Sequence, residues 1–192
     1  MGHRERLMAG AKRCLEERGY ARTTSRDIAA AAGDAPVGTI NYHYGSKEAL
    51  LNAALMELVQ EWGDRTLHAA EQKATTTAER LERLWSQIAE PGDGDRPMLV
   101  ATVEALAQAT RSPEVRAQIA DAYERGRPDM AAELHGLDAA DDAETARAVG
   151  SVHMALIAGL HLQWLVDPER APSGREVATG LRAIARGLEA DG

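Results

Sequence analysis

The chain has 192 residues, 44% of them hydrophobic and 27% charged, enough to bury a core without covalent staples. Cys14 is the only cysteine, which excludes a disulfide within the chain and a cysteine-based metal cluster. The net charge of −8 is unevenly divided: the first fifty residues carry eight basic and six acidic side chains, leaving −10 for the rest.

Alanine, leucine, glutamate and arginine dominate, and no stretch alternates in the manner of a strand, so the fold class predicted is all-α with about nine helices. Leu7, Met8, Ala11, Cys14 and Leu15 form an apolar stripe on a first helix that Gly19 ends. Thr24 and Asp27 have capping-box spacing at the start of a short second helix that runs through Ile28 to Ala32 before Gly33. A third helix is expected over Val37 to Tyr42. Ser46 then caps a long helix with Leu51, Leu55, Leu58 and Trp62 on one face.

Thr76 and Glu79 cap a helix carrying Leu81, Leu84, Trp85 and Ile88, and residues 91–95 read as a loop. A helix from about Pro97 to Thr110 follows, then one opened by Ser112 and Pro113, with a bend expected near Gly126 and Pro128. A polar stretch, Asp138 to Asp142, leads into the most apolar helix, about Ala143 to Val166, which Asp167 and Pro168 stop. Ser173 and Glu176 cap the last helix, ending near Glu189.

Two short helices joined by a turn with Gly33, the first rich in small residues (Ala29 to Ala32), make a helix-turn-helix pattern. Small side chains suit it because bulky ones at a steep crossing would push the second helix away. The charge asymmetry agrees: a slightly basic N-terminal part can meet phosphate while the acidic bulk stays off it.

The residues that follow are more specific. Thr39-Ile40-Asn41-Tyr42-His43-Tyr44-Gly45-Ser46-Lys47-Glu48-Ala49-Leu50-Leu51 closely resembles the signature of TetR-family regulators, an aromatic-His-aromatic step before Gly/Ser-Lys-Glu-x-Leu. Thr24-Ser25-Arg26-Asp27-Ile28-Ala29 resembles the start of that family's second helix. The resemblance covers about residues 5 to 55; beyond them it rests on length and helical order. It implies a three-helix DNA-binding domain, residues 1–46, and a larger helical effector-binding and dimerisation domain, residues 47–192. The function implied is a homodimeric transcriptional regulator, a repressor that a small-molecule effector releases from a palindromic operator in double-stranded DNA.

Side-chain chemistry fits that reading. Thr39, Asn41, Tyr42 and His43 have the length and polarity to reach base edges or phosphates from the major groove, and asparagine can pair bidentately with adenine. Lys47, in the first turn of the next helix, suits a phosphate, and Thr24, Ser25 and Arg26 form the matching clamp at the second helix. Pro36, Val37 and Gly38 form the leading edge, where Val37 could touch a thymine methyl. Packing is the alternative for Tyr42 and His43, and solvated charge for Lys47 and Arg26. Tyr44 is expected to pack between the third and fourth helices. The segment from Gly33 to Thr39 is one residue longer than the usual family turn, which leaves the first position of the recognition helix open among Ala35, Pro36 and Val37.

The resemblance also places a ligand cavity in the larger domain. Trp62, Trp85, Met98, Thr102, Tyr123 and His153 are its candidate lining, with plain core packing as the alternative. Gly150, Met154, Ile157, Ala158, His161 and Leu165 on the apolar helix, with Leu181 and Ile184 on the last, are the candidate dimer interface; burial within one chain is the alternative. His153 and His161 lack a cysteine or a carboxylate at ligand spacing, so no metal site and no cofactor are expected.

No secretory signal is read at the N-terminus, and the apolar stretch from Met154 to Val166 is too short for a bilayer, so the expectation is a cytoplasmic protein without membrane contact. There is no Ser-His-Asp context, glycine-rich phosphate loop or carboxylate cluster to support an enzyme. The rival reading is a helical protein-interaction module that does not bind DNA.

Overall fold

The computed structural model describes residues 2–71 and 77–190. Among them are nine α-helices and no strand: α1 His3–Arg18, α2 Ser25–Ala31, α3 Gly38–Tyr44, α4 Lys47–Glu71, α5 Thr77–Ala89, α6 Arg96–Ala109, α7 Pro113–His135, α8 Ala143–Val166 and α9 Gly174–Ala190. Thr76 and the side chain of Leu81 lie outside the described residues.

Local signals account for most helix ends. The hydroxyl of Thr24 accepts from the Asp27 N–H at 3.2 Å while the Asp27 carboxylate accepts from the Thr24 N–H at 2.9 Å, a closed capping box. Ser46 caps α4 through the Ala49 N–H at 3.0 Å, and Ser112 caps α7 through Val115. Ser173 and Glu176 close a second box on α9. Two details differ from the sequence reading. The expected loop at 91–95 contains a single 3-10 turn, Asp93–Asp95. α3 begins at Gly38 and continues two residues past Tyr42, to Tyr44, where Gly45 at φ 80° stops it.

The chain divides into two compact units, Met1–Glu61 with Gly94–Gly150, and Trp62–Asp93 with Ser151–Gly192. In the first, α1 packs on α2, α3 and α6, and α6 on α7. Leu7, Leu15, Ile28, Ile40, Leu50, Leu51 and Leu55 are fully buried, each contributing about 2 kcal/mol of apolar transfer. A Cβ on Gly10 would stand 3.0 Å from the Ala32 nitrogen and the Ile28 oxygen, so the close approach in this region is α1 on α2. In the second unit α5 packs along α9 around Leu84, Trp85, Ile88 and Ala178, and the Gly174 N–H donates to Glu90 at 3.2 Å.

Candidate nucleic-acid interface

Residues between α2 and α3 reverse the chain by two successive left-handed conformations, Gly33 at φ 79° and Asp34 at φ 54°. The Ala35 N–H returns to the Ala29 carbonyl at 3.1 Å, and the buried Ala35 methyl anchors the turn. The reversal is complete before Pro36, and Val37 becomes the N-cap of α3.

On α3 the buried Ile40 fixes the inner face. Pro36, Val37, Gly38, Asn41 and Tyr42 are exposed, with Thr39 and His43 half-buried at the edges of the same surface. Tyr42 is 84% exposed although it is a large aromatic side chain, and it meets His43 edge to face at 4.9 Å. The Thr39 hydroxyl donates to the Pro36 carbonyl. Thr24 and Arg26 are exposed and Ser25 is half-buried at the start of α2. The Thr24 hydroxyl donates to the Asp27 carboxylate at 2.6 Å. Hydrogen bonds from the Thr24 side chain first, then from its N–H, hold the Asp27 carboxyl below its ordinary pKa, with Arg18 adding attraction.

Two sequence expectations change here. The Lys47 ammonium does not point freely at solvent: it donates to the Thr23 carbonyl at 3.1 Å and pairs with Glu48 at 3.3 Å, tying the start of α4 to the α1–α2 turn. Tyr44 packs toward α1 rather than between the third and fourth helices. Its hydroxyl donates to the Arg4 carbonyl at 3.1 Å, and the Arg4 guanidinium lies 5.7 Å from its ring.

The candidate ligand residues divide between the units. In the first, the Thr102 hydroxyl donates to the Met98 carbonyl at 2.9 Å, and Tyr123 is partly exposed. In the second, Trp85 stacks on His153 at 5.6 Å, and Trp62 meets His161 edge to face at 5.0 Å. Two open hollows in the surface lie elsewhere. One, of about 480 Å³, is lined by Arg4, Met8, Lys12, Tyr44 and Glu57; the other, of about 340 Å³, by Leu162, Val166 and Arg170.

The helix-turn-helix segment matches the family model of bacterial regulatory proteins of the tetR family over residues 7–54, and residues 77–189 match the C-terminal model of BetI-type transcriptional repressors. The chain belongs to the TetR family. TetR-family proteins are non-enzymatic DNA-binding transcription factors, so the chain is a transcriptional regulator.

Solved structures agree across nearly the whole length. A protein from Streptomyces coelicolor, described as a transcriptional regulator, is 30% identical, with 96% of each chain covered and a TM-score of 0.61. One from Saccharomonospora viridis, solved in complex with choline, is 28% identical, with 95% of each chain covered and a TM-score of 0.60. The multidrug binding protein EbrR, complexed with imidazole, is 27% identical over 94% of this chain and 95% of its own, with a TM-score of 0.63. No curated protein matches the chain.

Membership of the TetR family implies dimer formation, which directs attention to the apolar surface of α8 and α9. Of the eight candidate interface residues, Ala158 and Ile184 are exposed, while Met154, Ile157, His161, Leu165 and Leu181 are half-buried. Gly150 is corrected: it is buried, and the space beside it holds the backbone of Arg127 from α7 of the same chain. Besides Ala158, the exposed apolar side chains of α8 include Val152, Ala155, Leu162 and Val166, a stripe roughly a third of a turn round from the expected one. Ile184 and Leu188 are exposed on α9. Taken whole, α8 is long and apolar enough to cross a membrane, unlike the shorter stretch counted in the sequence. A helix half covered by a second copy needs the same composition.

Proposed function

We propose that the chain is a repressor that binds a palindromic operator as a homodimer and is released by a small-molecule effector, with residues 1–46 as the DNA-binding part and 47–192 as the effector-binding and dimerisation part. The observation that carries the reading is the outer face of α3: an aromatic side chain 84% exposed, beside Asn41 and Val37, on a helix anchored by buried Ile40. Solvent alone does not stabilise such a surface, whereas a major groove takes it. Asn41 and Val37 read bases, Tyr42 and Arg26 meet phosphates, and Thr39 and His43 flank them. Two copies are needed because one such helix contacts too few bases, and a twofold pair sets half-sites about 34 Å or a multiple apart. A protein that works on such an operator works in the cytoplasm, where the DNA lies.

The effector read from the second unit is a small organic cation. Trp62 and Trp85 are buried indoles, the first met edge to face by His161 and the second stacked on His153, and indoles are the aromatic groups that hold a cation best. Support comes from the relatives, one holding choline and one imidazole, the first permanently charged and the second readily protonated. The effector acts by favouring a splayed dimer in which α4 has shifted, and its leverage equals its differential affinity for the two states.

Electrophoretic retardation of fragments from the source genome tests the reading. Salt-sensitive, sequence-selective retention that choline or imidazole weakens is the expected result. Absence of any salt-sensitive, sequence-selective retention would favour the protein-interaction module instead.

A further inference from the structure

The turn joining α1 to α2 is held from outside by α4 and α6, and the α4 contact is backed by α7. Behind Gly19, at φ 80°, the buried Tyr20 hydroxyl donates to Asn52 Oδ1 on α4 at 2.7 Å. On its other side Asn52 donates through Nδ2 to Gln118 Oε1 on α7 at 2.5 Å. The next residue, Ala21, donates its N–H to Glu104 on α6 at 3.0 Å. Asn52 is only 5% exposed and is one of three buried polar side chains among the described residues. Its partners stand 32 residues before it and 66 after it.

The chemistry of this junction is selective. A primary amide accepts at one end and donates at the other, so Asn52 can read a hydroxyl and an acceptor at once. Aspartate would lose the donor, and leucine both groups. Tyr20 remains a donor throughout the working pH range, since burial, with the Glu48 charge adding to it, pushes its phenol up to about 12. The α1–α2 turn sits beside the helix pair that carries the recognition surface, and α7 belongs to the part expected to respond to effector. A directional hydrogen-bond chain between them fixes an angle as well as a distance.

We propose that Asn52 is a positioning residue for operator recognition: the Tyr20–Asn52–Gln118 chain sets the angle at which the DNA-binding helices leave the rest of the protein, and through it the half-site spacing that the dimer accepts. The inference rests on the operator-binding dimer described above. It concerns spacing rather than base preference, because none of the three side chains lies on the outer face of α3.

The test uses the full-length protein and the palindromic duplex it selects from a random pool, remade with the spacer lengthened or shortened by one and two base pairs. The wild type should discriminate sharply among these spacings. Tyr20→Phe and Gln118→Met should remain folded dimers and lose between about twofold and tenfold of that discrimination, the range of one net hydrogen bond. Gln118→Glu, which keeps the acceptor oxygen, should retain it. The double variant should be no worse than either single one, because one break opens the whole chain. Wild-type discrimination in Gln118→Met, or independent effects that multiply in the double variant, would overturn the proposal. Failure of the wild type to select any palindrome would instead overturn the operator reading. Gln118 is exposed, so its variants fold even if Tyr20→Phe does not.

Discussion

Gly150 of α8 lies so close to Arg127 of α7 that a Cβ would overlap the Arg127 carbonyl group. The obstacle is main chain within a helix, which cannot rotate aside as a side chain can. Gly150→Ala should therefore destabilise the protein by about 3 kcal/mol, at the upper end of overpacking costs, although alanine is the better helix former. Gly63 of α4 is the control, since nothing stands within 4 Å of a Cβ there. Gly63→Ala should stabilise by about 0.5–1 kcal/mol. Thermal denaturation of both variants checks the pair, and equal melting shifts would contradict the packing described.

Tyr42 and Lys47 separate a reading residue from an anchoring one. Tyr42 is almost wholly exposed, so Tyr42→Ala should change stability by no more than about 0.5 kcal/mol while weakening operator binding at least tenfold. The Lys47 ammonium is engaged by Thr23 and Glu48. Lys47→Ala should lower thermal stability and leave the salt dependence of operator binding unchanged. A phosphate contact at Lys47 would instead reduce the slope of log affinity against log salt by about 0.9.

Those two residues also mark what the sequence could convey. The Thr24–Asp27 box, the Ser46 cap and the Gly19 stop were legible because each joins groups within four residues of one another. The destinations of Lys47 and Tyr44 were not, because their acceptors, Thr23 and Arg4, lie 24 and 40 residues away. No spacing rule connects such pairs. The same limit hid the chain through Asn52, a residue that a long amphipathic helix would otherwise leave unremarked. On α8 the difficulty was different: with apolar residues on several faces, periodicity could not choose the exposed one, and packing alone left Val152, Leu162 and Val166 outside.

Alkaline titration should expose the buried phenol. Tyr20 is raised from 10.0 to about 12 by burial, with Glu48 contributing, so unfolded chains lose this proton at lower pH than folded ones. The stabilising contribution is complete below about pH 10 and disappears as pH climbs toward 12. Tyrosinate absorbance of the wild type should contain a late component near pH 12 that is missing in Tyr20→Phe. An identical titration in the two proteins would show that the hydroxyl is not enclosed.

The uncovered apolar stripe should decide the oligomeric state. Val166 is 86% exposed, and Val152, Leu162, Ile184 and Leu188 are also open to solvent. A stable dimer buries on the order of 1,600 Å², and charge placed at its centre without a partner is strongly unfavourable. Leu162→Glu combined with Ile184→Glu should therefore yield monomers of about half the native mass in light scattering. Helix content should be unchanged, because both side chains already face solvent in the single chain. Operator affinity should fall with the dimer, since a lone α3 retains only its weak half-site contacts. A double variant that stays dimeric at micromolar concentration would place the interface on another face, with the half-buried flank of Met154, Ile157 and Leu165 the next to examine.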